Sequence, residues 1–179
     1  MKAQRNTAPS PEIVFRPVRV YAYIAHRVPL ADIGKVAEAG FDRLDAWLKR
    51  DGLASTGAPF LRYRRIDMAG TIDIETGIPV EDAGVGDEVA GFAEIPAGHY
   101  ARLLWRGSFD SLVVANTRLI EWGRQRNIAW DMTPSDEGDI FRARLETFLV
   151  GPAQEPDPGN WLTEIAIRTS NGKPDRPDP

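Results

Sequence analysis

Hydrophobic positions recur along this chain with two different periods, and the places where the period changes outline the fold. Ile33, Val36, Ala37, Phe41, Leu44 and Leu48 return at spacings of three and four, which predicts an amphipathic helix with one buried stripe. Gly52 stands just past its end, where a left-handed cap residue belongs. Phe109, Leu112, Ala115, Leu119 and Trp122 repeat the pattern and predict a second helix, with Ser108 or Asp110 available as its N-cap. Around the helices, β-branched and aromatic runs punctuated at Pro59, Pro79, Pro96, Gly98 and Pro152 predict strands. Many strands with only two long helices predict an α+β fold. Its curved antiparallel sheet would carry both helices on one face, leaving the other face for an occupant.

The two halves of this pattern repeat each other. "YAYIAHRV" from Tyr21 aligns with "YARLLWRG" from Tyr100, and "RLDAWLKRDGL" from Arg43 with "RLIEWGRQRNI" from Arg118. "FLRYRRID" from Phe60 aligns with "RLETFLVG" from Arg144, and "ETGIPV" from Glu75 with "EIAIRT" from Glu164. Modules 13–80 and 89–169 then each read strand, helix, strand, strand, and together form one domain, 13–169. The acidic, glycine-containing "EDAGVGDE" between them predicts a surface linker. Residues 1–12 and 170–179, polar at one end and proline-rich at the other, predict loose tails.

Composition removes whole classes of function. The chain has no cysteine and only two histidines, His26 and His99, so thiolate chemistry, disulfides and a multi-histidine metal site are excluded, and no cofactor is expected. A net charge of −4 argues against direct nucleic-acid binding. No apolar run approaches the length of a membrane span, and "MKAQRNTAPSPE" lacks the core of a signal peptide, so a cytoplasmic protein without membrane contact is expected.

Glu146 is the residue this picture does not absorb. It lies mid-strand in "RLETFLVGP", where both strand faces carry apolar residues. Alternation assigns Leu145, Thr147 and Leu149 to the helix-covered face and Arg144, Glu146, Phe148 and Val150 to the other. On that basis Phe60, Arg62 and Arg64 are the matching face of the first half, with Arg62 the counterpart of Glu146. In one reading Glu146 pairs with Arg62 or Arg144 on a partly solvated sheet and contributes about 0–1 kcal/mol. In the other it floors an aromatic-walled groove and neutralises a delocalised organic cation through charge pairing and cation–π contact. Candidate walls are Tyr100, Trp105, Trp130, Phe148 and Trp161; Trp47 and Trp122 lie on the helix stripes and are expected in the core. Glu75 and Glu164 occupy matching positions and read as symmetric, solvent-facing acids.

The order of "IPAGHYARLLWRGSFDSL", "LIEWG", "RLETFLVGP" and "EPDPGNWLTEIAI" resembles the GyrI-like small-molecule-binding domain, the effector-binding domain of AraC-type bacterial regulators. The first half, with "LDAWL", "PFLRY" and "IDIETGIPV", is similar to the partner module of that domain. The resemblance covers about residues 13–169 and implies two modules in pseudo-twofold relation around a groove for amphipathic, often cationic, aromatic compounds. It places the family's central acid on Glu146. Two departures stand out: Gly151 replaces an aspartate before proline, and Phe148 replaces a tyrosine.

Three functions follow from the resemblance. The first is a stand-alone multidrug-type binding protein, of the kind linked to transcription regulation, with Glu146 as counter-charge. The second is a hydrolase of cyclopropane-bearing DNA-alkylating compounds, with Glu146 as general base and Tyr100 orienting the electrophile. The third is an inhibitor of DNA gyrase acting through a protein partner. The sequence leaves open whether a protein partner or a second copy of the chain is involved.

Overall fold

The computed structural model describes residues 10–170. The tail expectations for 1–9 and 171–179 lie outside them, while Glu12, expected in a tail, opens the first strand. The described strands are β1 (Glu12–Arg16), β2 (Arg19–Pro29), β3 (Phe60–Ile66), β4 (Thr71–Pro79), β5 (Gly91–Ile95), β6 (Gly98–Arg106), β7 (Met132–Thr133), β8 (Asp139–Phe141), β9 (Arg144–Val150) and β10 (Leu162–Arg168). The helices are α1 (Ile33–Arg50) and α2 (Leu112–Gln125). The strands form one antiparallel sheet in the order β1-β6-β10-β9-β3-β4-β2-β5, with the short β7–β8 hairpin attached to β3. The fold is thus α+β, with two helices on a curled antiparallel sheet, as the periodicities predict.

The strand pairing shows where the duplication is centred. Glu75 pairs with Arg62 and Thr76 with Leu61; in the second half Glu164 pairs with Thr147 and Ile165 with Glu146. With Glu75 matched to Glu164, the residue equivalent to Glu146 is therefore Leu61, not Arg62. Leu61 is also the cross-strand partner of Glu146, so the pseudo-twofold axis runs through this one pair. The expected counterpart was wrong by one residue, and in a strand one residue reverses the face. The outer strands are exchanged: β1, which precedes β2, pairs with β6, while β5, which precedes β6, pairs with β2.

Both helices cover the same face. The α1 residues Leu44, Trp47 and Leu48 pack on Ala22, Ile24 and Ile78, while Leu112, Ala115 and Leu119 of α2 pack on Ala101, Leu103 and Ile165. After α1, Gly52 has a φ of 68° and the Leu53 N–H reaches back to the Leu48 carbonyl at 2.9 Å, closing the helix in the expected left-handed cap. The start of α2 differs from expectation, because neither Ser108 nor Asp110 caps it through a side chain. A 3-10 turn, Phe109–Ser111, leads in instead. There the Ser111 hydroxyl donates to the Ser108 carbonyl at 2.6 Å and accepts from the Trp105 indole at 2.8 Å.

The other face is occupied by the sheet itself. Tyr21, Phe60, Ile95, Tyr100, Leu145 and Ala166 form one core cluster although β2 and β5 lie at the opposite end of the strand order from β6 and β10, which requires the sheet to curl around them. The curl also buries Glu75 and Glu164, which were expected to face solvent. Glu75 accepts a 2.5 Å hydrogen bond from the Tyr21 hydroxyl, which in turn accepts from Arg62. Glu164 joins Arg16 at 2.6 Å to Arg102 at 3.1 Å. These acids lose water and gain arginines, the arrangement a buried carboxylate requires. The 81–88 linker is tied down at its end, where Asp87 accepts from the Trp47 indole at 2.9 Å and from Arg50 at 2.8 Å.

Candidate functional site

Glu146 is only 6% exposed and lies on the helix-covered face, opposite to the face that alternation assigned. Asn116 of α2 donates its Nδ2 to Glu146 Oε1 at 2.7 Å, and the Tyr63 hydroxyl of β3 donates to Oε2 at 2.8 Å. Leu145 points instead into the curl beside Tyr21, Phe60 and Tyr100. Both faces of β9 are buried at its centre, so a pattern of apolar residues on both sides carried no information about which face met the helices.

Arg144 shares the face of Glu146. Its Nη2 donates to Asn116 Oδ1 at 3.0 Å, and its guanidinium lies 5.1 Å from the Phe141 ring and 5.9 Å from the Tyr63 ring. Asn116 thus bridges arginine and glutamate, with its amide orientation dictated by the two charges. Burial pushes the Glu146 carboxyl above its ordinary value, opposed by the Asn116 and Tyr63 hydrogen bonds and by Arg144. Burial and the neighbouring Glu146 push the Tyr63 hydroxyl well up, so it stays a proton donor. Burial pulls the Arg144 guanidinium below its ordinary value.

A row of rings starts two residues beyond Glu146 along the same face of β9, at Phe148. Phe148 meets Phe41 of α1 edge-on at 5.9 Å and Phe109 at 5.1 Å, and Phe109 meets Trp161 at 4.4 Å. The Trp161 indole is held by the Glu155 carbonyl at 2.8 Å. On the α2 side, Val113 and Ile120 stand three before and four after Asn116, so all three share one side of the helix. Val113 is 74% exposed and Ile120 36%, leaving an apolar wall open to solvent beside a buried acid.

The structure thus joins Phe148 to Trp161 through Phe109, with Phe148 two residues past Glu146 on the same face of β9. Trp105 lies on the same side of the sheet, separated from Phe148 by Thr163, which pairs with both. Trp130 packs against Gly123 at the C-terminal end of α2, where an added Cβ would come within 2.4 Å of its ring. Tyr100 is fully buried on the opposite face with its hydroxyl donating to the Pro96 carbonyl at 2.6 Å. Tyr100 and Glu146 thus lie on opposite faces of the sheet. Phe41, Tyr63, Phe109 and Asn116 were not singled out by sequence. Phe41 and Phe109 looked like core because they sit on helix stripes; Asn116 was the detectable signal, a polar residue four after Leu112 and three before Leu119.

Among the described residues no cluster of three or more His, Asp or Glu is placed to hold a metal ion, and no helix is long and apolar enough to cross a membrane. A separate cavity of about 510 Å³ lies elsewhere, lined by Arg64, Glu94, Ile140 and Arg142 among others.

A duplicated α+β half-barrel that keeps a buried carboxylate and a row of aromatic rings beneath two helices defines a small-molecule-binding domain. The sequence pattern of the GyrI-like small molecule binding domain matches residues 9–169, and the chain belongs to that family. Among solved structures, EcmrR in a complex with DNA superposes with a TM-score of 0.75 at 20% identity, over 95% of this chain and 60% of that one. This chain therefore spans about 60% of the length of EcmrR as seen there. The C-terminal domain of EcmrR alone gives a TM-score of 0.74 at 20% identity, covering 90% of this chain and 98% of the domain. SAV2435 bound to tetraphenylphosphonium gives 0.58 at 11% identity, covering 90% and 94% of the two chains. At these identities the likeness shows a shared fold. No curated protein sequence matches the chain.

Proposed function

We propose that this protein binds amphipathic aromatic molecules bearing a positive charge, in the groove between α1 and α2, and serves to capture or sense them. The observation that carries this reading is Glu146. Among the described residues this buried carboxylate makes no direct ion pair, and Arg144 reaches it only through Asn116. A buried acid held by neutral donors keeps charge available for a ligand, and its attraction is strengthened by the low local dielectric. The Phe41–Phe148–Phe109–Trp161 row and the exposed Val113 and Ile120 supply the apolar contact such a ligand needs. The fold shared with SAV2435, seen with a lipophilic phosphonium cation, supports the same reading.

The test is a titration with rhodamine 6G, a planar aromatic cation, followed by tryptophan fluorescence because Trp161 ends the ring row. Saturable quenching is expected in the wild type. In Glu146→Gln the affinity should fall by about 1–3 kcal/mol, or roughly 5- to 150-fold. Equal affinities would return Glu146 to a purely structural role.

A further inference from the structure

We infer that the natural ligand of this groove is a zwitterion: an aromatic molecule whose cationic group faces Glu146 and whose carboxylate or similar anionic group faces Arg144. The inference rests on the groove proposed above and narrows its ligand class.

Two polar atoms on the helix-covered face lack partners. Arg144 is half-buried as a residue, yet its Nε is shut off from solvent and makes no hydrogen bond. Thr163 Oγ1 is likewise buried and unpartnered, in a residue that pairs directly with Phe148. Buried donors without acceptors are rare in folded proteins and destabilising, and each calls for an explanation. The two lie at different levels of β9, Thr163 beside Phe148 and Arg144 beside Ile167, and a hydroxyl can donate or accept. The Arg144 Nε, which can only donate, is the atom that calls for an acceptor next to the Asn116–Glu146 relay. A simple lipophilic cation offers none.

Charge balance points the same way. Glu146 and Arg144 carry opposite charges, joined through Asn116 in an environment that burial has already made poor in water. A monocation bound at Glu146 leaves the site with the Arg144 charge in excess. A zwitterion aligned with the pair keeps it neutral while giving each buried charge a partner of its own. Asp139 also acts on Arg144, as the weakest of its charged influences, and Tyr63 lies against both members of the pair without adding charge. The Phe141 and Tyr63 rings hold the guanidinium in place, leaving its planar fork pre-set for a carboxylate.

Rhodamine B and its ethyl ester form a matched pair of probes: the same xanthylium cation with and without a free carboxylate. Fluorescence anisotropy titrations of both, on wild type, Arg144→Gln, Arg144→Lys and Glu146→Gln, separate the possibilities. The wild type should prefer the acid by about tenfold. Arg144→Gln should bring the ratio to one or below, through weaker acid binding and stronger ester binding, and Glu146→Gln should weaken both dyes. Arg144→Lys keeps the charge but loses the fork and should retain only part of the preference. It also decides the matter if a melting curve shows that the glutamine variant does not fold. A wild type that prefers the ester, with both dyes weakened in Glu146→Gln, overturns the zwitterion inference and leaves the cation groove standing. Two dyes that do not bind, or that bind without regard to Glu146, overturn the groove reading and this inference with it.

Discussion

Phe148→Ala tests whether the aromatic row is packed in solution as it is in the structure. The Phe148 ring is half-buried and links α1 to the turn before α2 through two ring contacts, with Phe41 at 5.9 Å and Phe109 at 5.1 Å. Full burial of a phenylalanine contributes about 1.5–3 kcal/mol, and partial burial scales this to about 1–1.5 kcal/mol. Each aromatic pair adds about 0.5–1.5 kcal/mol. The sum, about 2–4.5 kcal/mol, starts lower than the roughly 3–5 kcal/mol typical of fully buried Phe→Ala changes, as a half-buried ring should. Urea unfolding followed by tryptophan fluorescence measures it as a lower midpoint at unchanged slope. Phe148→Leu, which keeps most of the volume and loses the ring pairs, should cost under about 1.5 kcal/mol. A cost below about 0.5 kcal/mol for the alanine variant would refute the reasoning: the rings would then be apart in the free protein, and the groove already open.

Four further outcomes follow from particular contacts. Gly123→Ala drives a methyl group against the Trp130 ring, and overpacking of about 1–3 kcal/mol should outweigh the gain in helix propensity, seen as a lower urea midpoint and altered near-UV tryptophan signals. Because burial raises the Glu146 carboxyl, dye binding should weaken as pH falls through that raised value, while Glu146→Gln stays flat in a titration series. The same shift acts on stability with the opposite sign: the native acid holds its proton more tightly than the unfolded one, so this group favours folding increasingly as pH falls toward the ordinary carboxylate value. Hydrogen bonds from Arg27 and Arg65 hold Asp73 down at about 2, so its contribution is complete above the ordinary value of 3.8 and is lost as pH falls from there to about 2. Asp73→Asn should therefore flatten that part of an acid-unfolding profile.

The sequence by itself determined the two helices and the duplicated strand-helix-strand-strand pattern; β1, β5 and the β7–β8 hairpin lie outside that pattern. Helix stripes at Ile33–Leu48 and Phe109–Trp122, and the glycine closing α1, are local, because a helical repeat and a left-handed cap are set by neighbours within one turn. The placement of an acid at the middle of β9 was legible for the same reason, as a polar residue where every neighbour argued for a strand. Tertiary structure decided which way that acid points. In β9 both faces are buried, one by the helices and one by the curl of the sheet, so alternation loses its polar side and with it the only local cue to direction. The curl also decided the fate of Glu75, Glu164, Tyr21 and Tyr100, which reads as exposure or burial only once strands distant in the sequence are brought around to the same cluster. Asn116, Tyr63 and Arg144 come from three separate elements, and their convergence on Glu146 depends on the docking of α2 over β6 and β10 and on the pairing of β9 with β3. Periodicity describes what each segment buries; long-range pairing alone settles what it is buried against.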